Sequence, residues 1–349
     1  MLPIFGGHNM QKLEPLTHFI CKSVLPTDRT VTEVKANRFR LKDLLHRASH
    51  NRVLYLLSRN LLHAGFSSWE LALHTVLSAG EERLAKLSDT LAFLEATLPA
   101  VGIDYLVVKT YKYVPYVTFD VDVLVRPEQF DYAKRTFAEK GLSILKHPGE
   151  SFRKQSNCER EDLLRIDLHQ GFYWQGFSYL DTDLVWEQPV HRQIGDIRTP
   201  TPSVEVEVLL NIVHLLYERR YVTLLDLIYF RRAFQEGCHW EMIQAQARKY
   251  GWGRSLQSLR ATLNSLTEYV WDTEIAGPKA RLPANTRLPY MIPLWQVWGF
   301  FFEKARAARS IPWFDFAYYH FATARYYLTG RARLPFYLHW YPVDRFSVS

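Results

Sequence analysis

The sequence predicts an α+β protein, a small mixed β-sheet core flanked by N-terminal and C-terminal helical regions. Three observations predict it. Apolar residues recur at helical spacing on both sides of a central segment. Within that segment the spacing shortens to the two-residue alternation of strands. One helical pattern, between Pro127 and Gly141, interrupts the strand-like runs and supplies a helix to cover the sheet.

At 349 residues and 48% hydrophobic content, the chain is long enough for two or three packed subdomains and too apolar for disorder. The expected division is residues 1–98, 99–200 and 201–349, helical, α/β core and helical in turn. The helical pattern begins near Leu41 and is read as one amphipathic helix through Leu61. A second runs from Ser68, taken as its cap, to Pro99. Ile103–Val108 and Phe119–Val125 then read as strands, with Phe119, Val121, Val123 and Val125 expected to face a core. Pro127 opens the helix that Gly141 closes, and LSILK and DLLRIDLHQ are the next strand-like runs. Val190–Thr199 is expected to form a hairpin turning at Gly195-Asp196. Beyond Pro202 the chain returns to helices, with Ser203 and Thr223 as caps.

The net charge of +7 suits anionic partners such as nucleotide phosphates, RNA or an acidic membrane surface. Three widely separated cysteines, Cys21, Cys158 and Cys238, argue against a disulfide framework or a CxxC metal site and fit a cytoplasmic location. The N-terminal MLPIFGGHNMQKLEPL lacks the basic and apolar regions of a secretory signal. Leu288–Phe302, the most apolar stretch, falls short of the roughly 20 residues of a spanning helix and is read as buried or interfacial. The aromatic, arginine-rich C-terminal third allows a packed core, a surface that stacks on bases or peripheral membrane contact, without a transmembrane span.

Candidate chemistry centres on carboxylates. Alternation in a strand sends Asp120 and Asp122 to one face, where two carboxylates repel unless a cation neutralises them. All-oxygen ligation suits Mg²⁺ or Mn²⁺. Ile166-Asp167-Leu168-His169 repeats the device, so Asp167 joins the pair if the strands are neighbours. Three such carboxylates suit two-metal phosphoryl transfer, with Asp167 as metal ligand and proton acceptor from the nucleophile. A second Asp-x-Asp, Asp181 and Asp183, reads as a solvated loop or cap. Asp226 reads as a buried partner of Arg219, Arg220 or Arg231, and His214 with Glu218 as a pair one helical turn apart. His169 is a candidate to orient Asp167 or touch substrate, beside a structural reading.

At these residues the sequence resembles the uncharacterised nucleotidyltransferase family of the polymerase-β-like superfamily. The likeness runs from Ile103 to Phe234, in LVVKTYKYVPYVTFDVDVLVRPEQFDYAKRTFAEKGL, RIDLHQ and HLLYERRYVTLLDLIYF. It implies a metal-dependent enzyme moving NMP from an NTP to an unidentified acceptor: RNA, protein, a small molecule or a glycan. Asp120, Asp122 and Asp167 take the catalytic and metal positions, Lys109 that of the motif lysine, and His169 that of the following histidine. The superfamily's Gly-Gly or Gly-Ser turn is replaced by Thr110-Tyr111, so either Lys109, Lys112 and the Thr110 hydroxyl stand in as phosphate ligands or nucleotide binding has changed. The same departure supports an alternative, a catalytically impaired nucleotide-binding or scaffold protein. A toxin-like enzyme acting on RNA is a third reading.

Overall fold

A computed structural model describes residues 15–24, 39–145, 155–174, 177–271, 277–282 and 286–292. The helices α1 (Pro15–Val24), α2 (Leu41–His50), α3 (Leu54–His63) and α4 (Glu70–Thr97) precede the sheet. The sheet holds β1 (Tyr105–Val108), β2 (Asp120–Val125), β3 (Ser143–Leu145), β4 (Gln155–Glu159) and β5 (Arg165–His169), with α5 (Phe130–Glu139) between β2 and β3. Its five strands run in the order β1-β2-β5-β4-β3, and only the β2/β5 pair is parallel. The expected mixed sheet between helical regions is the architecture observed.

Alternation divides the sheet into two faces. Val107, Val121, Val123, Val125, Cys158, Ile166 and Leu168 point to one side, where they pack with Leu91 and Leu94 of α4 and Phe130 and Phe137 of α5. Val121, Val123 and Val125 are each 0% exposed, so each contributes about 1.5–3 kcal/mol of burial that a one-residue slip would forfeit. Leu106, Val108 and Leu124 point to the other side and join the larger core built from the N-terminal and C-terminal helices. Asp120, Asp122 and Asp167 alternate with the first set and so share the second face.

Phe119 departs from its expected place. It precedes β2, is 48% exposed, and lies under the Arg83 guanidinium at 4.2 Å. Strand β4 has no counterpart among the expected elements because QSNCE is polar; Ser156 and Cys158 are small enough to be buried without an apolar signature. The predicted helix from Leu41 to Leu61 is two helices. Asn51 donates to the Arg47 and Leu288 carbonyls and accepts the Leu224 N–H, while Arg52 takes a left-handed φ of 60°. Ser68 sits in a 3-10 turn, Ser67–Trp69, and does not cap α4.

Gly80 lies inside α4 because α3 approaches there: a Cβ would stand 2.5 Å from Tyr55 Cδ2, close to the root of that ring. Gly80→Ala should therefore destabilise by about 1 kcal/mol, overpacking outweighing the gain in helix propensity. Thermal unfolding of the variant checks the sign, since an unhindered helix site would gain stability.

Past the sheet come the short pair β6 (Tyr173–Trp174) and β7 (Phe177–Ser178), the helix α6 (Thr182–Glu187), and the hairpin β8 (Val190–Ile194) with β9 (Ile197–Thr201). The hairpin turns at Gly195-Asp196, with Gly195 at φ 58°, and β9 packs beside β1. Helix α7 (Val204–Val213) begins at a Ser203 cap and continues as a π-helical segment, His214–Arg219. His214 and Glu218 both fall within this π-helical segment. Strand β10 (Tyr221–Val222) pairs with β11 (Tyr290–Met291), and α8 (Leu224–Gln235), α9 (Trp240–Lys249) and α10 (Gly253–Trp271) complete the described chain. Asp226 completes a capping box with Thr223 and pairs with Arg219. Within Leu288–Phe302, Leu288 and Ile292 are buried and Met291 is exposed, whereas residues 293–349, which hold the remainder of that stretch and the aromatic C-terminal third, lie outside the described residues. No helix among the described residues is long and apolar enough to cross a membrane. Cys21, Cys158 and Cys238 are free thiols.

Candidate active site

The parallel register of β2 and β5 sets Asp122 opposite Asp167, Asp120 opposite Arg165 and Leu124 opposite His169. Parallel neighbours carry matched residues on the same face, so this pairing brings the three aspartates together. All-oxygen donors of this kind suit a hard divalent cation. Each carboxylate also holds a cationic partner from the chain itself. Among the described residues, no three His, Cys, Asp or Glu side chains stand in a ready ligating group.

Asp122 Oδ1 accepts from Lys109 Nζ at 2.7 Å and His169 Nε2 at 2.8 Å. Burial pushes this carboxyl up, but Lys109 and His169 win and hold it well below the usual carboxylate range. Its register partner behaves oppositely. Burial, then repulsion by Asp122, outweighs the guanidinium of Arg165 and raises Asp167 from 3.8 to about 6. Arg165 Nε lies 2.8 Å from Asp167 Oδ1, and its Nη2 lies 3.3 Å from Asp167 Oδ2 and 2.8 Å from Asp120 Oδ2.

Lys109 ends β1 with a left-handed φ of 58°, a conformation that non-glycine residues seldom adopt. Its N–H donates to both carboxylate oxygens of Glu207, at 3.0 and 3.1 Å, which secures the turn while the side chain reaches Asp122. Glu207 is buried on α7, within a pocket that also holds Lys112 and Asn211. Lys112 donates to Asn211 Oδ1 and lies 4.8 Å over the Tyr229 ring. Burial draws the pair together, pushing Lys112 down and Glu207 up.

The structure thus groups five of the sequence-derived residues: Asp120, Asp122, Asp167, Lys109 and His169. His169 contacts Asp122, not Asp167, and its ring stacks on Phe172 at 6.0 Å. Lys112 and Thr110 lie under the turn. The Thr110 hydroxyl donates to the Val108 carbonyl at 3.1 Å and, like Lys112, is buried. Tyr111 packs against Arg192 at 4.7 Å and against Tyr113. Asp181 caps α6 and pairs with Lys249 at 3.0 Å, far from this chemistry in role.

Arg165 and Glu207 escaped the sequence reading. Arg165 was findable, because it stands two residues before Asp167 in an alternating strand and must share its face. Glu207 was not, since VEVEV carries nothing that ties it to a turn ninety-eight residues earlier. A hydrogen-bonded chain also supports Asp120 from behind: Arg52 donates to Tyr116, Tyr116 to Thr118 at 3.2 Å, and Thr118 to the Asp120 carbonyl at 3.0 Å.

Comparison with known proteins finds a family likeness over part of the chain. Residues 118–268 match the model of a family described as uncharacterised nucleotidyltransferase, a span that holds all three aspartates, Arg165, His169 and Glu207 but begins after Lys109. No curated protein matches the sequence. Among solved structures, the chain is similar to the antibiotic-resistance factor ANT(2'')-Ia, at 9% identity and a TM-score of 0.36, over 52% of this chain and 95% of that one.

Proposed function

We propose that this protein is a metal-dependent nucleotidyltransferase that moves NMP from an NTP to an acceptor, with RNA, a protein or a small molecule such as a glycan as acceptor classes. The observation that carries the reading is the β2/β5 register, which sets Asp122 against Asp167 with Asp120 one alternation away. Mg²⁺ or Mn²⁺ fits the donor chemistry, and Asp120, Asp122 and Asp167 would hold it. When bound, such an ion neutralises the triphosphate and the departing pyrophosphate.

The chain's own residues divide the proton chemistry. Asp122, kept ionised by Lys109 and His169, stays a permanent anion. Asp167, raised to about 6 when no ion is bound, is the carboxylate assigned to take the acceptor hydroxyl's proton. The acceptor oxygen then bonds to the α-phosphorus, the bond from that phosphorus to the bridging oxygen breaks, and pyrophosphate leaves. Glu207 holds the Lys109 turn through its N–H, so the ammonium is delivered to Asp122 without the flexibility of a glycine turn.

Purified protein with labelled NTPs and Mn²⁺ is expected to release pyrophosphate or label itself, and Asp120→Ala to lose that activity. An unchanged rate in the variant would sink the assignment. The side chain of Tyr111 at the former glycine position favours a second reading, nucleotide binding without turnover. Binding of NTP with no pyrophosphate release across RNA, protein and glycan acceptors would select it.

A further inference from the structure

We propose that Arg165 is a tethered cation that holds the metal position between Asp120 and Asp167, so that the divalent ion binds tightly only with a polyphosphate that draws the guanidinium away. This rests on the reading of the aspartates as metal ligands.

A single nitrogen, Nη2, touches both carboxylates, at 2.8 Å from Asp120 and 3.3 Å from Asp167, while Nε grips the second oxygen of Asp167 at 2.8 Å. These are two of the three groups that would ligate the ion. The third, Asp122, is already engaged by Lys109 and His169. Three carboxylates thus face two permanent cations, Lys109 and Arg165. A dication entering this arrangement would share oxygens with a like charge, which weakens its binding until one cation leaves.

Arg165 is the one built to leave. Its side chain is 38% exposed, against 12% for Lys109. Solvent therefore reaches the guanidinium side of the pair, while the two-nitrogen grip on Asp167 holds it in the resting state. The planar fork that matches a carboxylate matches a phosphate equally well. An incoming triphosphate therefore offers the guanidinium a replacement partner at the moment it brings the metal. In consequence Arg165 becomes a triphosphate ligand in the loaded enzyme and an obstacle to bare metal in the resting one.

Equilibrium dialysis of metal-free protein against Mn²⁺, with and without inorganic tripolyphosphate, tests this without any reaction. Wild type is expected to bind Mn²⁺ weakly alone and at least about tenfold more tightly with tripolyphosphate, a coupling of ordinary size between two ligands. Arg165→Gln should bind Mn²⁺ alone about tenfold more tightly than wild type, gain little from tripolyphosphate, and lose the gain when Asp167→Asn is added. Arg165→Lys, which keeps the charge without the fork, should fall between and serves if the glutamine variant does not fold. Equal Mn²⁺ affinity in wild type and Arg165→Gln, lowered in both by Asp167→Asn, overturns the proposal and leaves the metal reading standing. Absence of Mn²⁺ binding in every variant, with or without tripolyphosphate, overturns both.

Discussion

Asp167→Asn is expected to abolish nucleotidyl transfer and, in metal-free buffer above pH 6, to make the protein more stable by roughly 2–3 kcal/mol. The sign follows from the direction of the titration. The folded-state carboxyl, raised to about 6 from an ordinary 3.8, holds its proton more tightly than the unfolded chain does. Ionising it inside the fold therefore costs stability as the pH climbs between those two values, at about 1.4 kcal/mol per pH unit. Asparagine has the same shape and no charge to desolvate, so the gain should vanish below about pH 4, where the wild-type carboxyl is protonated in both states. Arg165 keeps Asp120 as partner in the variant, so no guanidinium is stranded. Urea denaturation at pH 5 and pH 8 reads the effect. A variant less stable than wild type at pH 8 would show that the ion pair with Arg165 outweighs burial and the neighbouring carboxylates. Asp122 runs the other way: its depressed titration stabilises the fold above about pH 4 and is lost on acidification.

Asp226→Ala should be the most damaging change outside the site, costing roughly 3–5 kcal/mol because it strands the buried Arg219. Asp226 is 6% exposed, and its Oδ2 accepts from the Thr223 N–H at 2.7 Å, from the Thr223 hydroxyl at 2.6 Å and from Arg219. Burial alone would raise this carboxyl, yet Arg219, Arg52 and the Thr223 hydrogen bonds hold it down at about 2. Alanine removes the capping box of α8, leaves Arg219 without its ion-pair partner and takes away one of the charges that favour Arg52, which keeps Tyr116 and the more distant Asp120. Asp226→Asn keeps the acceptor oxygen for Thr223 and should lose less. The contribution is present above the unfolded carboxyl's titration near pH 4 and disappears as the pH falls toward 2, so the gap between variant and wild type should close in acid. A midpoint shift equivalent to less than about 1 kcal/mol at pH 7 would refute the buried-pair account and reduce the contact to a surface-like ion pair.

The site was legible to the extent that its residues belong to strands with strict alternation. In DVDVLV and RIDLH, period two alone separates Asp120, Asp122, Asp167 and Arg165 from Val121, Val123, Val125, Ile166 and Leu168 on the opposite face. The caps at Ser203 and Thr223 and the turn at Gly195 were equally open to reading, because a cap or a tight turn is decided by neighbours a few residues away. Strand β4 was hidden by its polar sequence, which only the company of β3 and β5 turns into a strand. The break between α2 and α3 was hidden for the same reason. Leucine spacing runs smoothly through Asn51, and the chain bends there because that side chain binds Leu224 and Leu288, far away in sequence.

What the sequence determined by itself was composition of faces: which side chains are apolar, which are acidic, and which of them a strand must aim together. Only the tertiary structure decided partners. It paired β2 with β5 in parallel, put Lys109 and His169 on Asp122, and brought Glu207 under the Lys109 turn. It also stretched one arginine across two aspartates. Alternation is a property of a single strand's backbone geometry, whereas register and ion pairing are settled by burial shared between segments distant in the chain, and no local pattern records that sharing.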